Sequence, residues 1–394
     1  MIRLAVRMLL GDRSKCFGVL FGIAVTTFLM TMLVSMFAGM LSRTYGLVAD
    51  NPGVDVWVMD PACQSATQAI NMPQTAVERV RGVEGVDSAT RLTVGAFAAR
   101  MPHGAFVQVD VIGADDATLM GIPSSAGESA LRLREPDTAL LDLGGTRDQM
   151  VVPTDRSRWW SGEPRLLDLP TRAMQVGDEV LVNTTTLRIA GHITGTPRFQ
   201  PQPVLYTTYT TASRMLPAQR NQLTYVLVRV APGHDAAQVA QRISTQTQLQ
   251  ALTSADFKRR TVIWFFTNSG VISQITVMIT FAFAVGLAIT GLMMNMFTTE
   301  NSRFYAAFKA IGASHRTLLG MVTAQASYAA VMGYGIGLGI CCMLGVALRD
   351  TGFPFRLMWY TPFITFVVVL VIATVTAMLS ARSVLRIEPG AVFK

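Results

Sequence analysis

The stretch ENSRFYAAFKAIGASHRTLLG, residues 300–320, lies between two of the most apolar segments of the chain. It nevertheless carries several charged side chains and is interrupted by Gly312. A charged, glycine-broken segment between two apolar runs is typical of a short loop at a membrane surface and unlike a buried core. We therefore expect a membrane protein in which this loop is a functional element and not only a connection between two spans.

The composition is that of a chain with both membrane-spanning and water-exposed parts. Of the 394 residues, 51% are hydrophobic and 15% are charged, which is too apolar for an ordinary soluble protein and too polar for membrane helices alone. Four runs are each long enough for a helix to cross about 30 Å of hydrocarbon: 17–41, 271–297, 318–348 and 363–379. The first run is too long for the core of a secretory signal, so we interpret it as a retained anchor.

The distribution of positive charge predicts the orientation. Residues 1–16, 298–317 and 380–394 hold ten basic and three acidic residues, whereas the charges of segment 42–266 balance. Because short positive loops stay in the cytoplasm, we expect both termini and the 298–317 loop inside, and segment 42–266 outside. Topology thus accounts for the formal net charge of +8, and we expect no nucleic-acid partner.

Segment 42–266 has the pattern of a mixed α+β domain. Alternating apolar residues predict strands at VDVWVMD, VQVDVIG, VLVNTTTLRIAGHI and TYVLVRV. Helical patterns occur at PQTAVERVRG, with Pro73 in the first turn, and at DAAQVAQRISTQTQ, with Asp235 as the capping residue. At roughly 225 residues, the segment is large enough for two lobes.

No catalytic or metal-binding pattern accompanies these elements. The sequence contains no G-x-x-x-x-G-K-[ST] phosphate loop, no H-E-x-x-H and no G-x-S-x-G. Its four histidines are scattered, so we expect neither a metal nor a cofactor bound by this chain. The four runs contain no Asp, Glu, Lys, Arg or His, which disfavours ion-coupled transport. Their uncharged polar residues, such as Gln274, Asn295 and Gln325, can bridge helices.

Small residues in the runs predict close helix contacts. GYGIGLG at 333–339 imitates a dinucleotide-binding string, but it lies inside an apolar run without the required strand before it. We interpret Gly333 and Gly337, and likewise Gly18 and Gly22 in the first run, as dimer or helix-packing positions.

The 300–320 loop predicts a short amphipathic helix, a turn and a new helix. The helix separates apolar from basic residues, with Phe304, Ala307, Phe308 and Ile311 on one face and Arg303 and Lys309 on the other. Gly312 can adopt the left-handed end of this helix, and Ser314 can cap the next one. Two interpretations remain: a helix that rests on lipid, or a lever that fits a groove in a cytoplasmic partner.

The loop resembles the region between the second and third spans of MacB/FtsX-type ABC transporter permeases, where a string like E-x-x-R-E-x-A-x-x-K-A-I-G-A-S occurs. Three other segments resemble the same family: LAVRMLLGDRSKCFGVLFGIAV at the first run, MQVGDEVLVNTTTLRIAGHITG in the outer domain and ARSVLRIEPGAVFK at the end. In size and plan the chain is similar to DevC-like and haem-exporter-like permeases, which act on amphiphilic cargo.

The apolar runs, the charge distribution and the strand and helix patterns predict an α-helical membrane protein with four transmembrane helices and a mixed α+β extracytoplasmic domain inserted between helices 1 and 2, and the resemblance agrees with this plan. The predicted order is an amphipathic N-terminal helix (1–16), transmembrane helix 1 (17–41), the periplasmic domain (42–266), transmembrane helix 2 (267–297), a coupling loop (298–317), transmembrane helix 3 (318–348), a short outer loop (349–362), transmembrane helix 4 (363–380) and a cytoplasmic tail (381–394).

The resemblance also implies that the loop contacts an ABC ATPase. With the two phenylalanines of the apolar face, the predicted coupling residues are Glu300, Arg303, Phe304, Ala307, Phe308, Lys309, Ala310, Gly312 and Ala313. Phe304 departs from the family pattern, in which an acidic residue is common at that position.

The implied assembly holds two copies of the ATPase and a second permease, either the same chain or a related one. The ATPase domain that precedes the permease in MacB is missing here, so the resemblance implies that a separate ATPase binds ATP and Mg and that this chain is not an enzyme. Closure of the ATPases would push on the loop and move the outer domains. This mechanotransmission would drive efflux from the bacterial inner membrane, in some cases with a periplasmic adaptor protein.

Two other classes of function remain open. An FtsX-like transmitter would regulate a cell-wall hydrolase and export nothing, although its outer domain is typically smaller. A membrane-anchored enzyme is disfavoured because the sequence shows no catalytic constellation.

Overall fold

The computed structural model describes residues 7–9, 11, 13–142, 149–160, 170–200, 202–215, 223–348, 351 and 353–385. The chain divides into two compact units, here called the membrane unit (Met1–Met40 with Gly270–Lys394) and the outer domain (Leu41–Ser269). Residues 1–6, 10 and 12 of the predicted N-terminal helix and residues 386–394 of the predicted tail lie outside the described residues.

The described chain contains ten α-helices and eleven strands, and all of the strands lie in the outer domain. The helices are α1 (Arg13–Thr44), α2 (Gly46–Ala49), α3 (Ala76–Arg81), α4 (Tyr209–Met215), α5 (Ala236–Thr247), α6 (Ser254–Asn268), α7 (Gly270–Glu300), α8 (Ser302–Ala310), α9 (His315–Ala347) and α10 (Thr361–Leu385). The strands are β1 (Val56–Met59), β2 (Val86–Arg100), β3 (Phe106–Ala114), β4 (Thr138–Asp142), β5 (Val151–Pro153), β6 (Thr171–Ala173), β7 (Glu179–Val182), β8 (Thr185–Ile193), β9 (Val204–Thr208), β10 (Tyr225–Val230) and β11 (Gln250–Thr253).

Four helices of the described chain are long and apolar enough to cross a membrane, and a mixed α/β domain lies between the first and second, as predicted. The candidate spans are Cys16–Thr44, Ser273–Glu300, His315–Ala347 and Thr361–Arg382. At a rise of about 1.5 Å per residue, the 33 residues of α9 exceed what a bilayer core of about 30 Å requires.

Glycines set the close contacts of α1 with its neighbours. A Cβ on Gly22 would lie 3.2 Å from the Ile289 side chain of α7, and one on Gly18 would meet Met293 of the same helix. A Cβ on Gly333 would lie 2.8 Å from Ile23 of α1, and one on Gly337 would lie 2.4 Å from the Ala24 carbonyl oxygen. The approaches at Gly333 and Gly337 leave no room for a side chain, the one at Gly22 is tight, and the one at Gly18 is an ordinary contact. Gly22, Gly333 and Gly337 therefore pack helices within the chain, and dimer contact stays a prediction.

The segment before α10 turns back into the helix bundle. The Arg356 backbone N–H donates to the Ser35 carbonyl of α1 over 3.1 Å. A Cβ on Gly39 would lie 2.1 Å from the Pro354 carbonyl oxygen, and one on Gly345 would lie 2.2 Å from the Phe355 ring. Among the described residues of the predicted outer loop, Pro354, Phe355 and Arg356 therefore pack against α1 and α9.

The outer domain is built on one nine-stranded sheet, with strand order β11-β1-β10-β2-β3-β9-β4-β8-β7 among the described residues. The long strand β2 pairs with β10 through Val86 to Leu92 and with β7 through Ala99 and Arg100. Because β2 pairs with both β3 and β7, the six strands β2, β3, β9, β4, β8 and β7 form a closed ring in that order. The strands β10, β1 and β11 extend the sheet beyond this ring. The four predicted strand segments all fall on strands of this sheet.

Separate hydrophobic clusters fill the two sections of the sheet. Helices α3 and α5 cover the open section, where Val77, Val80, Val239 and Ile243 are buried. Asp235 caps α5 as predicted, since its carboxylate accepts from the Gln238 N–H over 3.3 Å. Pro73 is an exception: α3 begins only at Ala76, whose N–H donates to the Pro73 carbonyl, so the proline precedes the helix instead of forming its first turn.

The MQVGDEV string forms a tight turn ahead of β7. Gly177 has φ +90°, a left-handed conformation that favours glycine. The fully buried Asp178 accepts from the Gln175 N–H (2.8 Å), Arg172 (2.6 Å) and Arg156 (3.1 Å). Burial alone would raise the pKa of the Asp178 carboxyl, but the hydrogen bonds from Arg172 and Gln175 lower it on balance. This family-like string therefore has a structural role.

Candidate functional site

The loop between the second and third spans is a helix held by short connections. Asn301 alone separates α7 from α8, and its buried side-chain amide donates to the Phe297 carbonyl over 2.8 Å. At the other end, Gly312 has φ +97° and the Ala313 N–H donates back to the Phe308 carbonyl over 2.9 Å. The Ser314 hydroxyl accepts from the Thr317 N–H at the start of α9. The predicted helix, left-handed turn and capped helix are confirmed.

The face that α8 buries differs from the predicted apolar face. The side chains buried in the membrane unit are Tyr305 and Ala306. Phe304 is 58% exposed and Ile311 is 84% exposed, whereas Phe308 is half-buried against the membrane-unit core. The predicted apolar stripe is thus divided: Phe308 packs against the membrane unit, whereas the side chains of Phe304 and Ile311 are exposed at its surface.

A hydrogen bond explains which face is buried. The Tyr305 hydroxyl donates to Gln325 Oε1 of α9 over 2.7 Å, and neither side chain is exposed. Burial raises the pKa of Tyr305 to about 12, although the hydrogen bond with Gln325 lowers it. The bridging role predicted for Gln325 is therefore found, whereas Tyr305 was missed. An amphipathic pattern treats tyrosine as an ambiguous residue, and its partner lies 20 residues further along the chain.

All nine predicted coupling residues lie at the surface of this part of the membrane unit. Five are exposed: Glu300, Arg303, Phe304, Ala310 and Gly312. The other four are partly exposed: Ala307, Phe308, Lys309 and Ala313. Beside the turn is a hollow of about 420 Å³. It is lined by Phe308, Ile311, Gly312, Ala313, Ser314 and Thr317. The arrangement offers apolar projections, a concavity and flanking charges, which together suit the docking of a protein.

Comparison with known families matches both units of the chain. The family described as "MacB-like periplasmic core domain" matches residues 17–246, and the family described as "FtsX-like permease C-terminal" matches residues 276–389. No curated protein sequence matches the chain.

Solved structures similar to part of the chain include two extracytoplasmic domains. The periplasmic region of MacB from Actinobacillus actinomycetemcomitans is 10% identical, with a TM-score of 0.35, over 53% of this chain and 92% of that one. The extracellular domain of the noncanonic ABC-type transporter YknZ from Gram-positive bacteria is 9% identical, with a TM-score of 0.31, over 50% of this chain and 98% of that one.

The two family matches cover the first span with the outer domain and the last three spans with the α8 loop. They agree with the observed order of four candidate spans and an inserted α/β domain. The chain therefore belongs to the MacB/FtsX-type ABC transporter permeases, which are multi-pass membrane proteins.

Proposed function

We propose that this chain is the permease subunit of an exporter in which a separate ABC ATPase drives release or extraction of an amphiphilic substrate. Two ATPase copies bind ATP and Mg and dock on α8, and a second permease completes the assembly. The chain itself catalyses no reaction. It lies in the bacterial inner membrane with both termini and α8 in the cytoplasm and the outer domain in the periplasm, where an adaptor protein joins it in some assemblies.

The observation that carries this proposal is the two-sided character of α8. Its inner side is fixed to α9 by the buried bond between Tyr305 and Gln325. Its outer side presents Phe304 and Ile311, two large apolar residues that are mostly exposed. A loop that only connected two spans would need neither a buried anchor on one side nor large exposed apolar residues on the other. A force applied to the exposed side would reach α9 through the hydrogen bond and α7 through the Asn301 connection.

Chain continuity offers a route from α8 to the outer domain. Helix α7 follows α6 of the outer domain after the single residue Ser269. Helix α1 runs from Arg13 to Thr44 and so passes the boundary between the two units at Leu41 without a break. The two chain crossings are therefore the continuous helix α1 and the single extended residue Ser269. These short connections support mechanotransmission as part of the proposal.

The test is co-purification of the chain with a co-expressed ATPase. We expect Phe304→Ser and Ile311→Ser each to weaken the complex by about 2 kcal/mol, roughly 30-fold, if these residues are anchors of the interface. Ile263→Ser is the matched control, because Ile263 is also half-exposed but lies on α6 of the outer domain. Undiminished ATPase binding by both α8 variants would contradict the proposal.

Release of amphiphiles from cells separates export from signalling. Loss of ATP-dependent release in the α8 variants supports an exporter. Unchanged release together with altered cell-wall hydrolysis instead supports a transmitter.

A further inference from the structure

The outer domain contains a cavity of about 670 Å³ that the coupling step at α8 does not involve. Its volume lies within the range typical of sites for drug-sized ligands. The lining comes from distant parts of the chain: the end of α1 with Leu47, residues 66, 67 and 69, residues 94–96 on β2, residues 198–200 and 202, and the end of α6 with Ser269.

Small side chains on the sheet create the space. Gln108 and Asp110 of β3 share one face of the sheet, and Ala96 of β2 is the pairing partner of Asp110. The pairing partner of Gln108 on β2 is Ala98, so β2 places only small alanine side chains beside Gln108 and Asp110 on this face.

Another part of the lining is an aromatic wall formed by Phe199, Tyr225, Trp264 and Phe265. The rings of Phe199 and Phe265 have centroids 4.8 Å apart, and Trp264 meets Phe265 edge to face at 5.2 Å. Tyr225 also lines the cavity and is held by a hydrogen bond from its hydroxyl to the Gln68 carbonyl over 3.1 Å. Such a wall can take the flat or apolar part of a ligand.

Arg198 brings a positive charge into the cavity on a segment that is anchored at its start. Asp142 accepts from the Gly195 N–H over 3.0 Å, and Asp50 accepts from the Thr196 N–H and hydroxyl over 2.8 Å and 2.6 Å. Within the described residues, Arg198 Nη2 is buried and has no hydrogen-bond partner. A buried guanidinium N–H without an acceptor is unfavourable, so an oxygen of a ligand would satisfy it.

The balance of charge favours an anion. Among the described residues that line the cavity, the charged ones are Arg43, Arg198 and Asp110. Burial raises the pKa of Asp110, although the nearby positive charge of Arg198 lowers it. Two arginines against one carboxyl group leave the cavity positive.

We propose that this cavity binds a small amphiphilic carboxylate, with its anionic group on Arg198 and its apolar part against Phe199, Trp264 and Phe265. As the cargo site of an exporter, this inference rests on the proposed function; as a binding site, it stands on the cavity alone. The bound molecule would contact the end of α1 and the end of α6, so binding would act on both chain connections to the membrane unit.

The experiment uses the full chain in lipid nanodiscs and the photoreactive carboxylate 4-benzoylbenzoate, with labelled peptides mapped by mass spectrometry. The neutral 4-benzoylbenzamide has the same rings without the charge and serves as the matched probe. We expect the carboxylate to label peptides that contain Phe199 or Trp264 and Phe265, at a half-saturating concentration about 10-fold below that of the amide. Arg198→Gln should abolish this preference, and Arg198→Lys should keep part of it.

Arg134→Gln is the control variant, because it removes an equal charge from an exposed residue outside the cavity. Equal labelling by the two probes in the unaltered chain, or labelling confined to the membrane helices, would overturn the proposal without reliance on any variant. Labelling needs neither ATP nor the ATPase. Failure of the ATPase co-purification test would therefore leave this site standing, and failure here would leave the coupling role of α8 standing.

Discussion

Tyr305 makes α8 a part of the membrane unit, because its buried hydroxyl is bonded to Gln325. A hydroxyl and an amide buried together stabilise the structure only while both are present. The pair thereby adds a fixed contact between α8 and the third span, beside the buried Ala306.

Tyr305→Phe is expected to destabilise the chain by about 1 kcal/mol, because the buried Gln325 Oε1 would lose the hydrogen bond that it accepts from the Tyr305 hydroxyl. Combined with Gln325→Leu, the two changes should be non-additive by a similar amount. Thermal unfolding of the four proteins in nanodiscs measures this coupling energy, and ATP hydrolysis with the partner reports the mechanical effect. Strictly additive changes would show that the bond is not formed.

Asp178 is the residue whose ionisation should govern the acid stability of the outer domain. Its folded pKa is lowered, so its contribution is present above the unfolded value of about 3.9 and is lost as pH falls through the folded pKa. Asp178→Asn should cost about 2 kcal/mol at pH 7, less than a fully enclosed ion pair because the exposed Arg156 can turn to water.

The check is thermal unfolding from pH 7 to pH 3. The difference in Tm between the unaltered chain and Asp178→Asn should be largest near neutrality and shrink below about pH 4. Glu135→Gln is a matched control, since Glu135 also pairs with an arginine but both side chains are about half-exposed, and such pairs contribute little. A pH-independent gap would contradict the role given to the Asp178 charge.

At the scale of elements, the turn between α8 and α9 sets the direction in which α8 projects. Gly312 has φ +97°, and a Cβ built on it would meet nothing within 4 Å. A substitution there is therefore opposed by backbone strain and not by lack of space.

Gly312→Val should strain this turn by about 1 to 2 kcal/mol and reduce ATPase co-purification while leaving membrane insertion normal. Gly312→Asn should be milder, because asparagine tolerates left-handed backbone better than β-branched residues do. Gly320→Val is the control: Gly320 lies in α9, also has open space around its Cβ and is not among the glycines with positive φ. If Gly312→Val binds the ATPase as well as Gly320→Val does, the geometry of the turn is not needed for docking.

At the scale of the whole molecule, the proposed coupling requires α8 and the outer domain to lie on opposite sides of the membrane. The charge distribution predicts this arrangement, with α8 inside. Two exposed positions can report it: Glu84, in the outer domain, and Ala310, at the end of α8.

In a variant without native cysteines, a membrane-impermeant maleimide should label Glu84→Cys in spheroplasts. It should label Ala310→Cys only after the inner membrane has been permeabilised. The same labelling sites in detergent-solubilised protein control for burial. Reaction of Ala310→Cys from the outside, with Glu84→Cys protected, would reverse the topology and exclude docking of a cytoplasmic ATPase on α8.

Local patterns in the sequence were sufficient for the four spans and for part of the outer domain. Crossing a membrane requires a long apolar helix, so the four spans could be predicted from run length alone. Period-two alternation predicted β1, β3, β7, β8 and β10 but missed the other strands, including the long β2. The roles of Asp235, Gly312 and Ser314 followed from capping and backbone preferences that act within a few residues.

Only the tertiary structure decided which surfaces meet. The buried face of α8 depends on Gln325, 20 residues away from Tyr305, and the closure of the sheet depends on β2 pairing with β7. The outer-domain cavity combines residues from Arg43 to Ser269. Periodicity reports the interactions of a residue with its neighbours along the chain, whereas these features arise from the choice of distant partners, which hydrogen bonding and volume determine only once the chain is folded.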